Sequence, residues 1–143
     1  MTLPTDGPAA DTPAPFQHRL RVYWEDTDAD GVVFYANYLK FFERARTEWL
    51  RALGVGQQAL RDATGAIFVV TDTAVRYRAP ARLDDELRIT VELRQRGNAS
   101  MTLAQQAWRD DTLLADGKIR IGCVDHGTFR PRRFPPAVAS TLE

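Results

Sequence analysis

The spacing of apolar residues predicts one long amphipathic helix in the first half of the chain. No Gly or Pro interrupts the sequence from about Tyr35 until Gly54. Apolar side chains recur at i, i+4, i+7 and i+11 in this stretch, as one face of a helix requires: Tyr38, Phe42, Ala45 and Trp49. Gly54 follows the last of the periodic residues and predicts the end of the helix.

Alternating apolar and polar residues predict five strands, one before this helix and four after it. The first strand, Phe16 to Glu25, places Leu20, Val22 and Trp24 on one face. The later strands are predicted at Ala66 to Arg78, Glu86 to Arg96, Ser100 to Arg109 and Leu113 to Val124. A short second helix is predicted at Val55 to Ala63.

The order of these elements predicts an α+β domain. Turn residues such as Gly97 and Asn98 separate the last four strands, which we expect to form an antiparallel meander. The order β-α-β-β-β-β, with a short second helix, then gives one antiparallel sheet against one long helix. Residues 1–15 are rich in Pro, Ala and Thr and predict a disordered tail, which leaves residues 16–143 as a single domain. The proline-rich segment from Phe129 to Pro136 is predicted to be irregular.

Composition restricts the class of protein. The chain has 143 residues and a formal net charge of zero, which gives no basic surface typical of nucleic-acid binding. Cys123 is the only cysteine and lies in an apolar stretch, which predicts a core residue. A single cysteine cannot form an internal disulfide, which fits a reducing compartment. No signal peptide and no membrane span are recognisable, so we expect a cytoplasmic location.

The turn that precedes the long helix concentrates carboxylates: Asp26, Asp28 and Asp30, followed by Gly31. This spacing matches the first residues of a calcium-binding EF-hand loop. The twelfth position of such a loop, however, is Asn37 here instead of Glu, and the preceding segment is predicted to be a strand, not a helix. Histidine chemistry is disfavoured because only His18 and His126 are present. Their number is too small for a zinc site, and no serine lies in a nucleophile-elbow pattern.

Carboxylate chemistry at the start of a helix is a further interpretation of this turn. Backbone N–H groups near Phe34 to Asn37 could polarise a carbonyl, and a nearby carboxylate could attack that carbonyl or activate water. A thioester, which is electrophilic and has a good leaving group, is a suitable substrate. The alternative is that Asp26, Asp28 and Asp30 only cap the helix and shape the turn, and spacing alone favours this alternative.

Three stretches carry a resemblance to a known family: YWEDTDADGVVFYANYLKFFERARTEWL, FVVTDTAVRYRAPARLDDELRI and IRIGCVDHGTFRPRRFP. They resemble the hot-dog-fold acyl-CoA thioesterases of the 4-hydroxybenzoyl-CoA thioesterase type, and most closely the Tol–Pal-associated bacterial branch. The resemblance covers about Leu20 to Pro135. It implies a hot-dog fold, a five-stranded antiparallel sheet wrapped around one long helix, and hydrolysis of an acyl-CoA to free acid and CoA without cofactor or metal.

The resemblance also implies roles for residues of the turn. Asp28 matches the essential carboxylate, a nucleophile or general base, and the backbone N–H of Tyr35 matches the group that polarises the thioester carbonyl. Gly31 would let the turn approach the substrate, with Val32 and Asn37 as further substrate-binding residues. Many members of the branch carry His where this chain has Tyr35. This change is compatible with a role for the backbone N–H, but it removes any role of a histidine side chain.

Residues outside the turn are further candidates for the site. Glu43, on the long helix, is the backup acid, although ion pairing with neighbouring arginines is the simpler interpretation. Arg82 could anchor the turn or contact CoA. The cluster of Arg130, Arg132 and Arg133 could hold CoA phosphates or be a solvated tail.

The family implies assembly as a homodimer or homotetramer, with sites at the subunit interface. Dimerisation would also cover the open edge of a lone sheet. The alternative function is a non-catalytic module that binds acyl-CoA or acyl carrier protein, and a dehydratase is disfavoured because no His lies near the turn. The sequence leaves open the acyl chain length, aromatic or aliphatic preference, CoA or carrier-protein thioesters, and the pathway.

Overall fold

A sheet of five antiparallel strands packs on one long helix in the computed structural model, which describes residues 14–143. The strands are β1 (Phe16–Arg21), β2 (Ala66–Tyr77), β3 (Glu86–Arg96), β4 (Ser100–Arg109) and β5 (Thr112–Asp125). The helices are α1 (Tyr38–Ala52), α2 (Gln57–Thr64) and α3 (Pro136–Thr141). This arrangement confirms the predicted α+β fold. Of the predicted tail, residues 1–15, only Ala14 and Pro15 lie within the described residues.

The long helix α1 packs its apolar face onto the sheet. Phe41, Phe42 and Ala45 are fully buried on that face. The helix begins at Tyr38, later than predicted, because the preceding residues Tyr35–Asn37 form a short 3₁₀ turn. The sheet approaches α1 closely at Gly117, where an added Cβ would lie 2.9 Å from Cε2 of Phe42.

The order of strands in the sheet is β1-β3-β4-β5-β2, so the predicted four-strand meander is wrong. Strands β3, β4 and β5 follow one another as neighbours, but β2 pairs with β5 at one edge and β1 pairs with β3 at the other. The connection from β2 to β3 contains Pro80 and takes the chain to the far side of β4 and β5. Alternation predicts strands but not their partners, which explains the error.

Both ends of the described chain differ from the prediction. Strand β1 ends at Arg21, and the chain turns into a 3₁₀ turn at Trp24–Asp26. Trp24 is therefore 81% exposed instead of facing the core, whereas Val22 is fully buried. Near the C-terminus, the short helix α3 begins at Pro136 and buries Val138. The proline content of this segment had predicted irregular structure instead.

The single cysteine is a core residue, as predicted. Cys123 is fully buried, and burial raises the pKa of its thiol. Among residues 14–143, no helix has the length and apolarity that crossing a bilayer requires.

The close packing at Gly117 generates a first prediction. Gly117→Ala should lower the free energy of unfolding by about 1–3 kcal/mol, because the buried Phe42 ring has little room to move away from the new methyl group. Urea unfolding measures this change. Gly97→Ala is the matched control, since a Cβ there meets only Ser100 atoms at 3.5 and 3.6 Å. Equal stabilities of the two variants would contradict the packing argument.

Candidate active site

The acidic turn between β1 and α1 is a small hairpin. Thr27 and Val33 form an isolated antiparallel bridge, and the N–H of Asp28 donates to the Val32 carbonyl at 2.9 Å. Gly31 lies at the tip with φ of 78°, a left-handed conformation that glycine adopts without steric cost. The hairpin therefore fixes where each acidic side chain of the turn points.

Asp26 faces inward and ties the hairpin to the helix. It is 5% exposed, accepts a hydrogen bond from the Asn37 side-chain amide at 2.9 Å and accepts another from the Tyr23 N–H at 2.8 Å. Asn37 is itself buried at the end of the 3₁₀ turn. The amide of Asn37, predicted to contact substrate, is thus bonded to Asp26 and positions the start of α1.

Asp28 faces outward and has one oxygen held by the turn. Its Oδ1 accepts hydrogen bonds from the N–H groups of Asp30 at 2.9 Å and Val32 at 3.4 Å. Within residues 14–143, Oδ2 of Asp28 accepts no hydrogen bond. Asp28 and Asp30 are both exposed whereas Asp26 is buried, so the three carboxylates do not converge as the ligands of one cation would.

The first backbone donors of the helical segment are unused. The Asn37 N–H donates to the Phe34 carbonyl at 2.8 Å, but the N–H groups of Tyr35 and Ala36 reach no acceptor within the described residues. Such groups carry the positive end of the helix dipole. Val32, the hairpin partner of Asp28, is three residues before Tyr35, a separation of about 10 Å in extended backbone.

A cavity of about 300 Å³ opens beside these donors. Its lining is Val33, Tyr35, Tyr38, Tyr77, Arg78, Ala79 and Pro80. The Tyr77 hydroxyl donates to the Tyr35 carbonyl at 2.9 Å, and the Tyr38 hydroxyl accepts from the Ala81 N–H at 3.3 Å. Burial raises the pKa of the Tyr38 phenol, so it stays neutral at ordinary pH. Sequence reasoning missed Tyr77 because only the fold brings the end of β2 to the start of α1.

Arg82 supports the opposite side of the hairpin through its backbone. It forms an isolated antiparallel bridge with Val32, and its N–H donates to Oδ2 of Asp85 at 2.9 Å. In addition, the Leu83 N–H lies 3.4 Å from the Gly31 carbonyl. The position of Arg82 agrees with the anchoring role among its two predicted roles.

Glu43 lies in the second turn of α1, exposed, and accepts a hydrogen bond from the Thr47 hydroxyl at 2.7 Å. Within the part of the chain described, it forms no ion pair, so the predicted pairing with neighbouring arginines is wrong for this residue. Arg46 instead donates to the fully buried Gln105 side chain at 3.1 Å. Burial lowers the pKa of Arg46, and the nearby Glu43 carboxylate opposes that shift.

The basic C-terminal cluster lies at the other end of β2. Arg132 donates to the Thr64 carbonyl at 2.7 Å and lies 3.6 Å from Asp125, both next to the first residue of β2. The hydrogen bond between Tyr77 and Tyr35 places the acidic turn near the last residue of β2. This strand of 12 residues spans about 36 Å. One chain therefore does not bring Arg130, Arg132 and Arg133 to its own Asp28.

Comparisons with known proteins cover most of the chain. A model of the thioesterase-like superfamily matches residues 22–142. The chain is 42% identical to the acyl-CoA thioesterase YbgC of Haemophilus influenzae over 127 residues, 89% of this chain and 93% of that protein. It is 43% identical to the acyl-CoA thioester hydrolase YbgC of Escherichia coli O6:H1 over 129 residues, 90% of this chain and 96% of that protein.

Solved structures agree with the fold. A probable thioesterase from Bartonella henselae superposes with a TM-score of 0.80 at 32% identity, covering 85% of this chain and all of that one. Slr0204, a 1,4-dihydroxy-2-naphthoyl-CoA thioesterase from Synechocystis, superposes with a TM-score of 0.82 at 19% identity, covering 90% of this chain and 96% of that one. At that identity the second match supports the fold alone.

The buried contact between Asp26 and Asn37 generates a second prediction. Asn37→Leu should lower the free energy of unfolding by about 1–3 kcal/mol, because it removes the hydrogen-bond donor of a buried carboxylate oxygen. Chemical denaturation measures this loss. Asp30→Asn, an exposed change in the same turn, should alter stability by no more than about 0.5 kcal/mol. An unchanged midpoint for Asn37→Leu would show that the contact does not hold the turn.

Proposed function

Because the chain belongs to the thioesterase-like superfamily, we propose that it is an acyl-CoA thioesterase whose reaction takes place at the acidic turn. The curated relatives that it matches at 42% and 43% identity are named acyl-CoA thioesterase and acyl-CoA thioester hydrolase. The match to the family model includes the whole of this turn and of α1. The substrate is accordingly a CoA thioester, and the products are a carboxylic acid and CoA.

The observation that supports this mechanism is a free carboxylate oxygen in the same segment of the chain as free backbone donors. Oδ2 of Asp28 and the N–H groups of Tyr35 and Ala36 are unpaired within residues 14–143. In the proposed complex, the carbonyl carbon of the thioester lies about 3 Å from the Asp28 carboxylate, the distance of nucleophilic approach. The carbonyl oxygen lies about 3 Å from the backbone N–H groups, as in an oxyanion hole.

The two groups supply complementary parts of the reaction. The N–H groups stabilise the negative charge that develops on the thioester oxygen. Asp28 either attacks the carbonyl carbon and forms an anhydride that water then hydrolyses, or removes a proton from the attacking water. In both cases the C–S bond breaks and the thiolate of CoA leaves. The hydrogen bonds to Oδ1 of Asp28 keep the carboxylate directed while Oδ2 reacts.

The aromatic cavity next to the helix start is the proposed location of the acyl group. It shares Tyr35 with the oxyanion donors, so a carbonyl held there places its acyl substituent among Tyr38 and Tyr77. The rings of Tyr35 and Tyr77 meet edge to face with centroids 6.1 Å apart. The Tyr77 hydroxyl donates its hydrogen bond to the Tyr35 carbonyl, and this contact holds the Tyr77 side chain in place along the cavity wall.

We propose that the working unit is a homodimer formed through β2. This strand is an edge of the sheet, has 12 residues and exposes Val70 and Tyr77 by 47% and 44%. Unpaired edges invite pairing with another chain, and a two-fold interface pairs the same strand from both copies antiparallel. Such pairing brings the first residues of β2 in one copy beside the last residues in the other. The basic cluster of each copy then lies near the acidic turn of its partner.

Replacing the carboxylate tests the mechanism. Asp28→Asn keeps the size of the side chain but removes the charge and should lower kcat for a CoA thioester by about 10²- to 10⁴-fold. Asp30→Asn, which changes an exposed neighbouring carboxylate, should retain activity. Thiol release from a panel of acyl-CoAs measures both, with circular dichroism as the check on folding. Full activity of Asp28→Asn would refute the assignment, and CoA binding without turnover by the wild type would favour a non-catalytic binding module.

Hydrolysis should also be independent of added metal, because the carboxylates of the turn do not converge on one point. Incubation with EDTA followed by removal of the chelator should leave kcat unchanged. Loss of activity that calcium restores would instead favour the interpretation of the turn as a calcium loop. Thiol release before and after the treatment is the measurement.

A further inference from the structure

The hydroxyl of Tyr77, at the end of β2, contacts the backbone at the start of the helical segment. It donates to the Tyr35 carbonyl at 2.9 Å, across 42 residues of sequence. The same carbonyl also accepts the N–H of Tyr38, a bond through which the 3₁₀ turn continues into α1. A carbonyl oxygen has two lone pairs, so it can accept both donors. The bond from Tyr77 is therefore additional to those that the helical segment itself requires.

This carbonyl belongs to the same peptide unit as the N–H of Ala36. A peptide unit is planar, and in the usual trans form its C=O and N–H groups point in opposite directions. In a helical segment the N–H points towards the N-terminal end, where the proposed thioester carbonyl lies. Within residues 14–143, the Ala36 N–H has no acceptor. Tyr77 and a bound thioester would therefore lie at opposite ends of one peptide unit.

Hydrogen bonds arranged in such a row strengthen one another. A donor that binds the carbonyl oxygen draws electron density from the peptide unit, which leaves the N–H of that unit more positive. The effect is largest in the transition state, where negative charge develops on the substrate oxygen. The bond from Tyr77 also restricts rotation of the peptide unit that joins Tyr35 to Ala36. The N–H of that unit thus has a fixed direction before a substrate arrives.

The fold holds the Tyr77 hydroxyl in place for this role. Tyr77 is the last residue of β2 and pairs with the fully buried Ala115 of β5. The centroid of its ring lies 6.1 Å from that of Tyr35 and 5.4 Å from that of Tyr38, and both contacts are edge to face. Burial raises the pKa of the Tyr77 phenol, so the hydroxyl keeps its proton and remains a donor at ordinary pH.

A purely structural role explains this hydrogen bond less well. Tyr77 is 44% exposed, and the bond lies at the surface of the chain, where water can replace either partner. Such a bond adds little to the free energy of unfolding. A phenylalanine would keep the aromatic contacts of the ring, so packing does not require the hydroxyl. The hydroxyl alone supplies a fixed donor to the peptide unit that offers its N–H to the substrate.

We infer that Tyr77 is a positioning residue for the oxyanion hole: its hydroxyl orients and polarises the peptide unit between Tyr35 and Ala36, whose N–H stabilises the negative charge on the thioester oxygen. This inference rests on the proposed thioesterase function. It adds to the site a side chain that acts on the reacting carbonyl only through the backbone.

Tyr77→Phe tests the inference, because it removes the hydroxyl and keeps the ring. We expect kcat for a CoA thioester to fall about three- to tenfold, less than the roughly 10²- to 10³-fold cost of removing an oxyanion donor, because the N–H itself remains. KM and Tm should stay at their wild-type values, since neither substrate binding nor packing requires the hydroxyl. Thiol release from an acyl-CoA gives kcat and KM. Tyr23→Phe is the matched control: it removes the hydroxyl of an exposed tyrosine outside the cavity and should leave kcat unchanged.

Infrared spectroscopy separates positioning of the donor from a structural role. The stretching frequency of an isotope-labelled thioester carbonyl falls as the hydrogen bonds that the carbonyl accepts become stronger. Asp28→Asn should hold the substrate without hydrolysing it, so the carbonyl can be measured in that complex. Adding Tyr77→Phe to this variant should raise the frequency, because the N–H of the peptide unit is then less polarised and less well oriented.

The remaining outcomes overturn the inference in distinguishable ways. Unchanged kcat in Tyr77→Phe, or a lower kcat with an unchanged carbonyl frequency, would show that the hydroxyl does not act through the peptide unit. A raised KM with wild-type kcat would make Tyr77 a substrate-binding residue, and all these results leave the activity of the wild type established. If the wild type hydrolyses no thioester, the proposed function fails. The carbonyl frequency of a thioester with the wild type and with Tyr77→Phe then tests the positioning alone, and equal frequencies overturn it.

Discussion

The hydrogen bond between the buried side chains of Asp26 and Asn37 connects the acidic turn to the helix. Asp26 is in the hairpin and Asn37 is the last residue before α1, so this contact helps to set the distance between the carboxylates of the turn and the free N–H groups of the helix start. A buried carboxylate requires such donors, because an unpaired one would be costly. The position of Asp28 therefore depends in part on the buried side chain of Asp26.

The length of β2 is the second constraint on the site. The aromatic cavity and the acidic turn lie at its last residues, and the basic C-terminal cluster lies at its first residues. The same strand is an exposed edge of the sheet. A site that used both groups would therefore be incomplete in a single copy. The proposed symmetric dimer would contain two complete sites, because its two-fold axis relates them.

The parts of this picture that are local in sequence could be predicted from it. The helix, the strands and the grouping of Asp28, Gly31 and Tyr35 in one turn depend on residues within a few positions of each other. The strand order could not be predicted, because alternation indicates a strand but not its partner. Tyr77 was missed for the same reason, since 42 residues separate it from the Tyr35 carbonyl that it binds. Trp24 was predicted to lie on the apolar face of the first strand. It is exposed instead, because the strand ends at Arg21 and Trp24 begins a 3₁₀ turn.

Exposure of Asp28 in the single chain has a consequence for the proposed mechanism. Water screens a carboxylate and competes for oxyanion donors, so the electrostatic stabilisation that the helix start offers is small while the site is open. Covering the turn with a second copy would exclude water and strengthen the interactions of both groups with a thioester. In this arrangement the surface that pairs the subunits also activates the site. The exposed rings of Tyr35 and Tyr77, which an isolated chain leaves in water, are then part of the covered face.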